Sequence, residues 1–475
     1  MYLIILLMFK NTFFHIILTF LLLLVQSTAS YSQAVPIIRL KQAVDSVMKN
    51  YPGLQAKQMY ARSGEKAVSD AKHQQLPSLK LHYQADLGTD NSLEGSYFPM
   101  GIVPSSSGGR RADNNMDVAY GQLAVGYTEY ELCTFGLNRA RIETAKASGN
   151  EATADEQKTA YWLQYRVTQL YFDILKYNLI SIIQQKNIDR YEVLYKYIKA
   201  YTSSGIKAGV DSSVANAEVS KAKIQLIETM RTLDELKSDL IFYTGMKNAE
   251  FNVDTTLYHL SSSAVNQLQV IVSNDSVSLN NPVLNYYKTR WDNSLAQEKL
   301  IRKGFMPKIY FLGAAWTRGS TISSTDVYGN PSSGLNFSRY NYMVGLAFSY
   351  NIIDLVHQKD KTAIQFYQTE AHRLELSEQK SLLTNQLHQA DIAVKSSIDK
   401  IKEIPVQLRA SQDAYSQKLA QYNSGLINIV ELTNVSYLLF SAETDEVEAR
   451  SELLNTLLLK AVTNNTLNTF LTSFK

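Results

Sequence analysis

The chain has 475 residues, 19% of them charged, and a formal net charge of +3. That balance lacks the basic field on which nucleic-acid binding draws, so no nucleic-acid partner is expected. Tyrosine stands out at 30 residues against 17 Phe and 3 Trp, and a ring with an apolar body and a polar tip suits a boundary between lipid and water.

Residues 1–34 run through Lys10 into the apolar stretch Phe13 to Val25 and then into the small and polar Gln26 to Ala34. This order predicts a secretory signal peptide, with Met8 as an alternative start. The competing reading is a membrane-anchoring helix, which Lys10, Asn11 and His15 interrupt. No later window holds the roughly 18 to 20 apolar residues of a spanning helix, so any further span must be built from strands. Cys133 is the only cysteine; an intrachain disulfide, a cysteine-based zinc site and lipid attachment near the cleavage point are not expected.

Beyond residue 34 the chain is written twice. Pro52 and Pro77 recur as Pro282 and Pro307, Val125-Gly126 as Val344-Gly345, and Tyr201 to Gly205 as Tyr422 to Gly425. The offsets are 282 − 52 = 230, 344 − 125 = 219 and 425 − 205 = 220, so one loop differs in length while the rest keeps register. A unit this long is a duplicated fold rather than a solenoid repeat. The expected layout is a first repeat over 35–250, a linker over 251–280, a second repeat over 281–465 and a tail over 466–475.

Each repeat has the same grammar. A helix follows an Asn-Pro or Tyr-Pro start and ends near the second Pro. Leu79, Leu81, Tyr83, Ala85 and Leu87 then alternate with Lys80, His82, Gln84 and Asp86, the period of a two-sided strand. Strands are predicted over about 78–87 and 117–132, and again over about 308–317 and 339–351, long enough for a tilted membrane strand of about 9 to 11 residues. A single such hairpin could equally be a soluble one with one buried face. Loops rich in Gly, Ser, Asn and Pro separate the strands, over 88–116 and 318–338. Leu163, Val167, Leu170, Ile174 and Tyr177, then Val219, Ala222, Leu226, Leu233, Leu236 and Leu240, keep the spacing of coiled coils, predicted over 137–245 and 352–460. Four strands cannot seal a barrel in lipid, so the chain must oligomerise.

The paired prolines, the duplicated helix-strand-strand-helix-helix order, and Gly205 to Asp211 with its echo Gly425 to Glu431 resemble the TolC-like outer-membrane factor family over nearly all of the mature chain. The resemblance implies an all-α coiled-coil tube plus a transmembrane β-barrel of 12 strands, completed by a homotrimer. It implies an outer-membrane channel that is the passive conduit of a tripartite efflux or type I secretion system. The implied partners are a periplasmic adaptor and an inner-membrane RND or ABC pump. A periplasmic coiled-coil scaffold with soluble hairpins is the competing reading.

In the family the turns between paired helices face the adaptor, which places docking tips at Ser204, Gly205, Ile206, Ser424, Gly425 and Leu426; the competing reading is that any helical hairpin can end in Gly for purely local reasons. The same likeness assigns the periplasmic constriction to Asp211, Tyr422 and Glu431, the carboxylates forming a cation-attracting ring. Alternatively, each acid is only a favourable charge in the first turn of a helix. The family's gate arginine is replaced by Ile427 and its second gate acid by Asn434. Pro405 should kink the second long helix. No phosphate loop, zinc-binding His-Glu-x-x-His or nucleophile elbow occurs in the sequence, His82 and His388 have no ligand spacing, and neither enzymatic chemistry nor a cofactor is expected.

Overall fold

The computed structural model describes residues 36–89, 91–93, 109–110, 112–205, 208–246, 250–259, 262–272, 280–323 and 325–474. The predicted signal peptide lies outside them. In chain order the elements begin with β1 (Ile37–Ile38), α1 (Leu40–Asn50), α2 (Pro52–His73), β2 (Ser78–Gly88), β3 (Ser92–Leu93), β4 (Gly109–Arg110) and β5 (Ala119–Cys133). The long helices α3 (Leu137–Ser203) and α4 (Gly209–Thr244) follow, then β6 (Asn252–Val253) and α5 (Ser262–Ile271). The order of the first half recurs in α6 (Pro282–Gly304), β7 (Lys308–Ser320), β8 (Arg339–Ser349), α7 (Asp354–Asn423) and α8 (Ile429–Thr463), closed by α9 (Leu467–Thr472). No described helix is long and apolar enough to cross a membrane.

The chain divides into two units, one formed by Pro52–Tyr161 and Val277–Gln386, the other by Met1–Tyr51, Trp162–Ser276 and Leu387–Lys475. The first carries a four-stranded antiparallel sheet in the order β2-β5-β7-β8, so β5 and β7 join the two hairpins edge to edge, and a separate antiparallel pair of β3 and β4. The register sorts every side chain onto one of two faces, because successive residues of a strand point to opposite sides. Leu79, Leu81, Tyr83 and Leu87 share a face with Tyr120, Ala124, Gly126 and Thr128. That face continues through Phe311, Gly313, Ala315 and Thr317 to Tyr340, Tyr342, Val344, Leu346 and Phe348. It bears no charged residue. Lys80, Asp86, Glu129, Arg318 and Arg339 all lie on the opposite face.

The outer strands leave their apolar rows bare: Leu81 is 80% exposed and Tyr342 84%. Gly and Ala in β5 and β7 keep the charge-free face low in the middle, as where Leu81 lies against Gly126. At the helical end of the sheet Glu131 binds Arg141 at 2.8 Å and Lys308 at 3.2 Å, next to a register shift in β5.

Four helical segments of this unit cross in two repeat-related pairs. Gly64 of α2 meets Gly149 of α3 so closely that a Cβ on Gly64 would lie 2.7 Å from the Gly149 Cα. The equivalent of that pair in the second repeat is Ser294 of α6 and Thr369 of α7 (64 + 230 and 149 + 220), whose hydroxyls are 2.9 Å apart and buried. Gln365 donates to the Ser294 hydroxyl at 2.9 Å. Helix α6 begins at Pro282 with Asn281 as N-cap, its side chain accepting from the Val283 amide at 2.9 Å, the arrangement that leaves the fewest unpaired amides in a first turn.

The second unit is held by the apolar seam of α3, where Leu163, Val167, Leu170 and Ile174 are fully buried. β1 and β6 pair in parallel, and the Tyr171 hydroxyl locks them by donating to the Ile38 carbonyl at 2.9 Å and accepting from the Asp254 amide at 3.0 Å. Arg190 of α3 forks onto both carboxylate oxygens of Glu443 of α8, at 3.3 and 2.7 Å; such a bidentate pair fixes orientation as well as charge. Lys460 of α8 reaches Asp391 of α7 at 2.6 Å. α7 runs through Pro405 without a break. The Pro405 ring is exposed, so it displaces no neighbouring side chain.

Candidate functional site

Both helix-to-helix turns lie in the second unit. Gly205 and Gly425 have the same φ of +72°, a left-handed conformation that costs a residue with a side chain about 1–2 kcal/mol. At the second turn the Gly425 amide donates to the Tyr422 carbonyl at 3.1 Å and the Leu426 amide to the Gln421 carbonyl at 3.0 Å, the two bonds of a Schellman motif. The first turn shows the corresponding bond from the Gly205 amide to the Thr202 carbonyl at 3.0 Å. Ser204 and Ser424 each donate their hydroxyl to the carbonyl four residues back, at 3.0 Å. Ile206 lies outside the described residues. Leu426, Val210 and Val430 stand exposed around the turns.

The three residues assigned to the constriction occupy three different environments. Asp211 is half-buried in the first turn of α4, where the helix dipole favours its charge. Glu431 is exposed in the first turn of α8; its amide is capped by Asn428 at 3.0 Å and its carboxylate is bound to Lys418 of α7 at 3.0 Å. Tyr422, 1% exposed, sits in a core with Ile198, Ala215, Ile429 and Leu432. It therefore packs the four helix ends together rather than facing a free surface of this chain.

Tyr195, Tyr197 and Tyr415 pack against that core, and Tyr191 belongs to a second one with Ile188, Val219 and Ala222. Burial raises the phenols of Tyr191 and Tyr415, and a hydrogen bond with Tyr201 raises that of Tyr197. All three stay neutral hydroxyls near neutral pH. The Asn428 cap had a legible signal, Asn followed three residues later by Glu. The Lys418 partner had none, because its separation from Glu431 spans a turn.

Among the described residues no group of three or more His, Cys, Asp or Glu is placed to hold a metal ion. The described residues present a charge-free sheet face in one unit and, in the other, paired helices that turn at Gly205 and Gly425.

The family model of outer membrane efflux proteins matches residues 43–246 and 275–459, one segment on each repeat. No curated protein matches the chain by sequence. Solved structures agree in fold at low identity. The outer membrane protein VceC of Vibrio cholerae is 11% identical, with a TM-score of 0.70 over 90% of this chain and 96% of that one. The CmeC outer membrane channel of Campylobacter jejuni is 12% identical, with a TM-score of 0.71 over 90% and 86%. CusC, whose structures concern folding and transmembrane channel formation, is 13% identical, with a TM-score of 0.71 over 92% and 95%. Its family is one of channels, not of enzymes, and its place is the outer membrane: the chain belongs to the outer membrane efflux protein family.

Proposed function

We propose that three copies of this chain close a barrel of 3 × 4 = 12 strands and continue it as a coiled-coil tube into the periplasm. The assembly is a passive conduit for small molecules delivered by an inner-membrane RND or ABC pump. The observation that carries this reading is the four-stranded sheet with a charge-free face and two outer strands, β2 and β8, each paired along one edge only. In lipid each unpaired backbone group costs several kcal/mol, and pairing β8 of one copy with β2 of the next removes that cost. Two copies would give 8 strands, whose interior side chains fill it; three leave a lumen.

A periplasmic adaptor docks on the turns Ser204-Gly205-Ile206 and Ser424-Gly425-Leu426. The exposed Leu426 beside a rigid glycine supports this assignment. Asp211 is the stronger ring candidate of the two acids, since Glu431 is already engaged by Lys418. Tyr422 acts behind the mouth by fixing the helix ends. Reconstitution into a planar lipid bilayer tests the reading: wild-type protein gives discrete conductance steps, and Asp211→Asn lowers its cation preference more than Glu431→Gln. Inserted protein that never conducts would refute the conduit.

A further inference from the structure

The segment between β7 and β8 does not extend away from the sheet but lies back on its charge-free face. Gly319 and Gly334 permit this. A Cβ on Gly319 would come within 2.3 Å of the Asn336 carbonyl oxygen, and one on Gly334 within 2.4 Å of the Tyr120 carbonyl oxygen. Backbone therefore rests directly on backbone. Thr321 donates its amide to the Tyr120 carbonyl at 3.0 Å, and its hydroxyl accepts from the Tyr120 amide at 2.9 Å. Asn330 caps a short 3-10 turn over Pro331–Leu335, giving the segment a shape of its own.

Beneath it lies Gln122, an amide on the charge-free face. Exposed to hydrocarbon, such a group would be costly. Here it is 6% exposed, accepts from the Tyr83 hydroxyl at 3.0 Å and donates to the Leu335 carbonyl. The segment thus covers the face where lipid would otherwise meet an unsatisfied amide. Its own outer surface carries no charge from Pro331 to Ser338 and presents Leu335, 54% exposed, and Phe337, 38% exposed. Tyr120 and Tyr340 lie toward the same end of the sheet as this segment, on the same face, and Tyr83 shares the cross-strand row of Tyr340. Tyrosines gather where headgroups begin.

We propose that residues 331–337 form an interfacial anchor that inserts Leu335 and Phe337 at the boundary between headgroups and acyl chains of the outer membrane. The occupant is lipid rather than protein, because the segment prolongs a face that is charge-free from one end to the other. The inference rests on the reading of that face as lipid-facing, and the test separates the two.

A polarity-sensitive dye is attached to Leu335→Cys in a Cys133→Ser background, and the protein is reconstituted into phosphatidylcholine vesicles whose acyl chains are brominated near the glycerol. A second protein carries the dye at Tyr342→Cys. Both labels are expected to be quenched by the brominated lipid, and the 335 label to be shielded several-fold from aqueous iodide. Adding Gly334→Leu, which lifts the segment, restores iodide quenching at 335 while the 342 label stays lipid-quenched. A 335 label open to iodide and indifferent to brominated lipid, beside a lipid-quenched 342 label, overturns the anchor alone. A 342 label that iodide reaches and lipid does not overturns the lipid-facing reading, and the anchor with it.

Discussion

The two repeats of this chain solve the same geometric problem with different chemistry. Where α2 crosses α3, Gly64 and Gly149 bring backbone against backbone; where α6 crosses α7, Ser294, Thr369 and Gln365 fill the equivalent place with a buried hydrogen-bonded cluster. The ion pairs nearby follow the same relation. Asp155 holds Lys57 at 2.6 Å, and its equivalent Glu375 (155 + 220) holds Arg290 at 3.2 Å. At the turns, Gly205 and Gly425 share one φ, yet α8 has a side-chain cap in Asn428 whereas α4 has Ala208 at its N-cap and no side-chain cap. Duplication preserved where helices meet and turn. It did not preserve which contacts hold them, so each half should fail in its own way.

The largest expected difference lies at the turns. Tyr422→Ala empties the core of the second turn and should cost about 3–5 kcal/mol there, read as rapid proteolytic cleavage near the turn. Thr202→Ala, at the same distance before the turn glycine of the first repeat (205 − 3), should leave that cleavage rate nearly unchanged. Equal sensitivity would break the contrast.

At the crossings, Gly149→Leu drives a side chain into the Gly64 backbone and should cost about 3 kcal/mol or more, seen as a lower unfolding temperature and reduced outer-membrane levels. Thr369→Ala in the second repeat removes the two hydrogen bonds of that hydroxyl, with Ser294 and with the Gln365 carbonyl, and should cost about 1–2 kcal/mol. Gly425→Pro is incompatible with a φ of +72° and removes the amide that reaches Tyr422. It should abolish efflux in a drug-susceptibility assay while heat-sensitive assembly on a gel persists; unchanged efflux would count against docking at this turn.

The smallest effect is the pH dependence of the Lys57–Asp155 pair. Burial alone would raise the Asp155 carboxyl, but Lys158 and Lys57 hold it below its ordinary value. A lowered carboxyl stabilises the fold above the unfolded value of about 3.9, and the gain is lost as pH falls through the lower folded value. Asp155→Asn should therefore lower the melting temperature slightly at pH 7, by the equivalent of at most about 1 kcal/mol, and less as the pH approaches 3.

The sequence made the element order legible because its periods are strong. Leu79 to Leu87 and Tyr340 to Phe348 alternate cleanly, and the exposed rows of β2 and β8 are those residues. The inner strands are quieter, since Gly313, Ala315 and Thr317 alternate with Leu312, Ala314 and Trp316, and small residues mask the apolar side. The parallel pair of β1 and β6 escaped notice because two residues carry no period. The fold-back of 331–337 was hidden for another reason: its Ser, Gly and Asn composition reads as a solvated loop, and only tertiary contact reveals that Gly319 and Gly334 are close to other backbone. Among the site residues, the turn glycines were legible from their chemistry. The environment of Tyr422 was not, because Ile198 and Ala215 reach it from the other repeat.

The number of copies per particle tests the central claim most directly. Native mass spectrometry of the mature protein released from detergent should give three chains, with no stable single-chain species in detergent-free buffer. A well-folded monomer, soluble without detergent, would contradict the account.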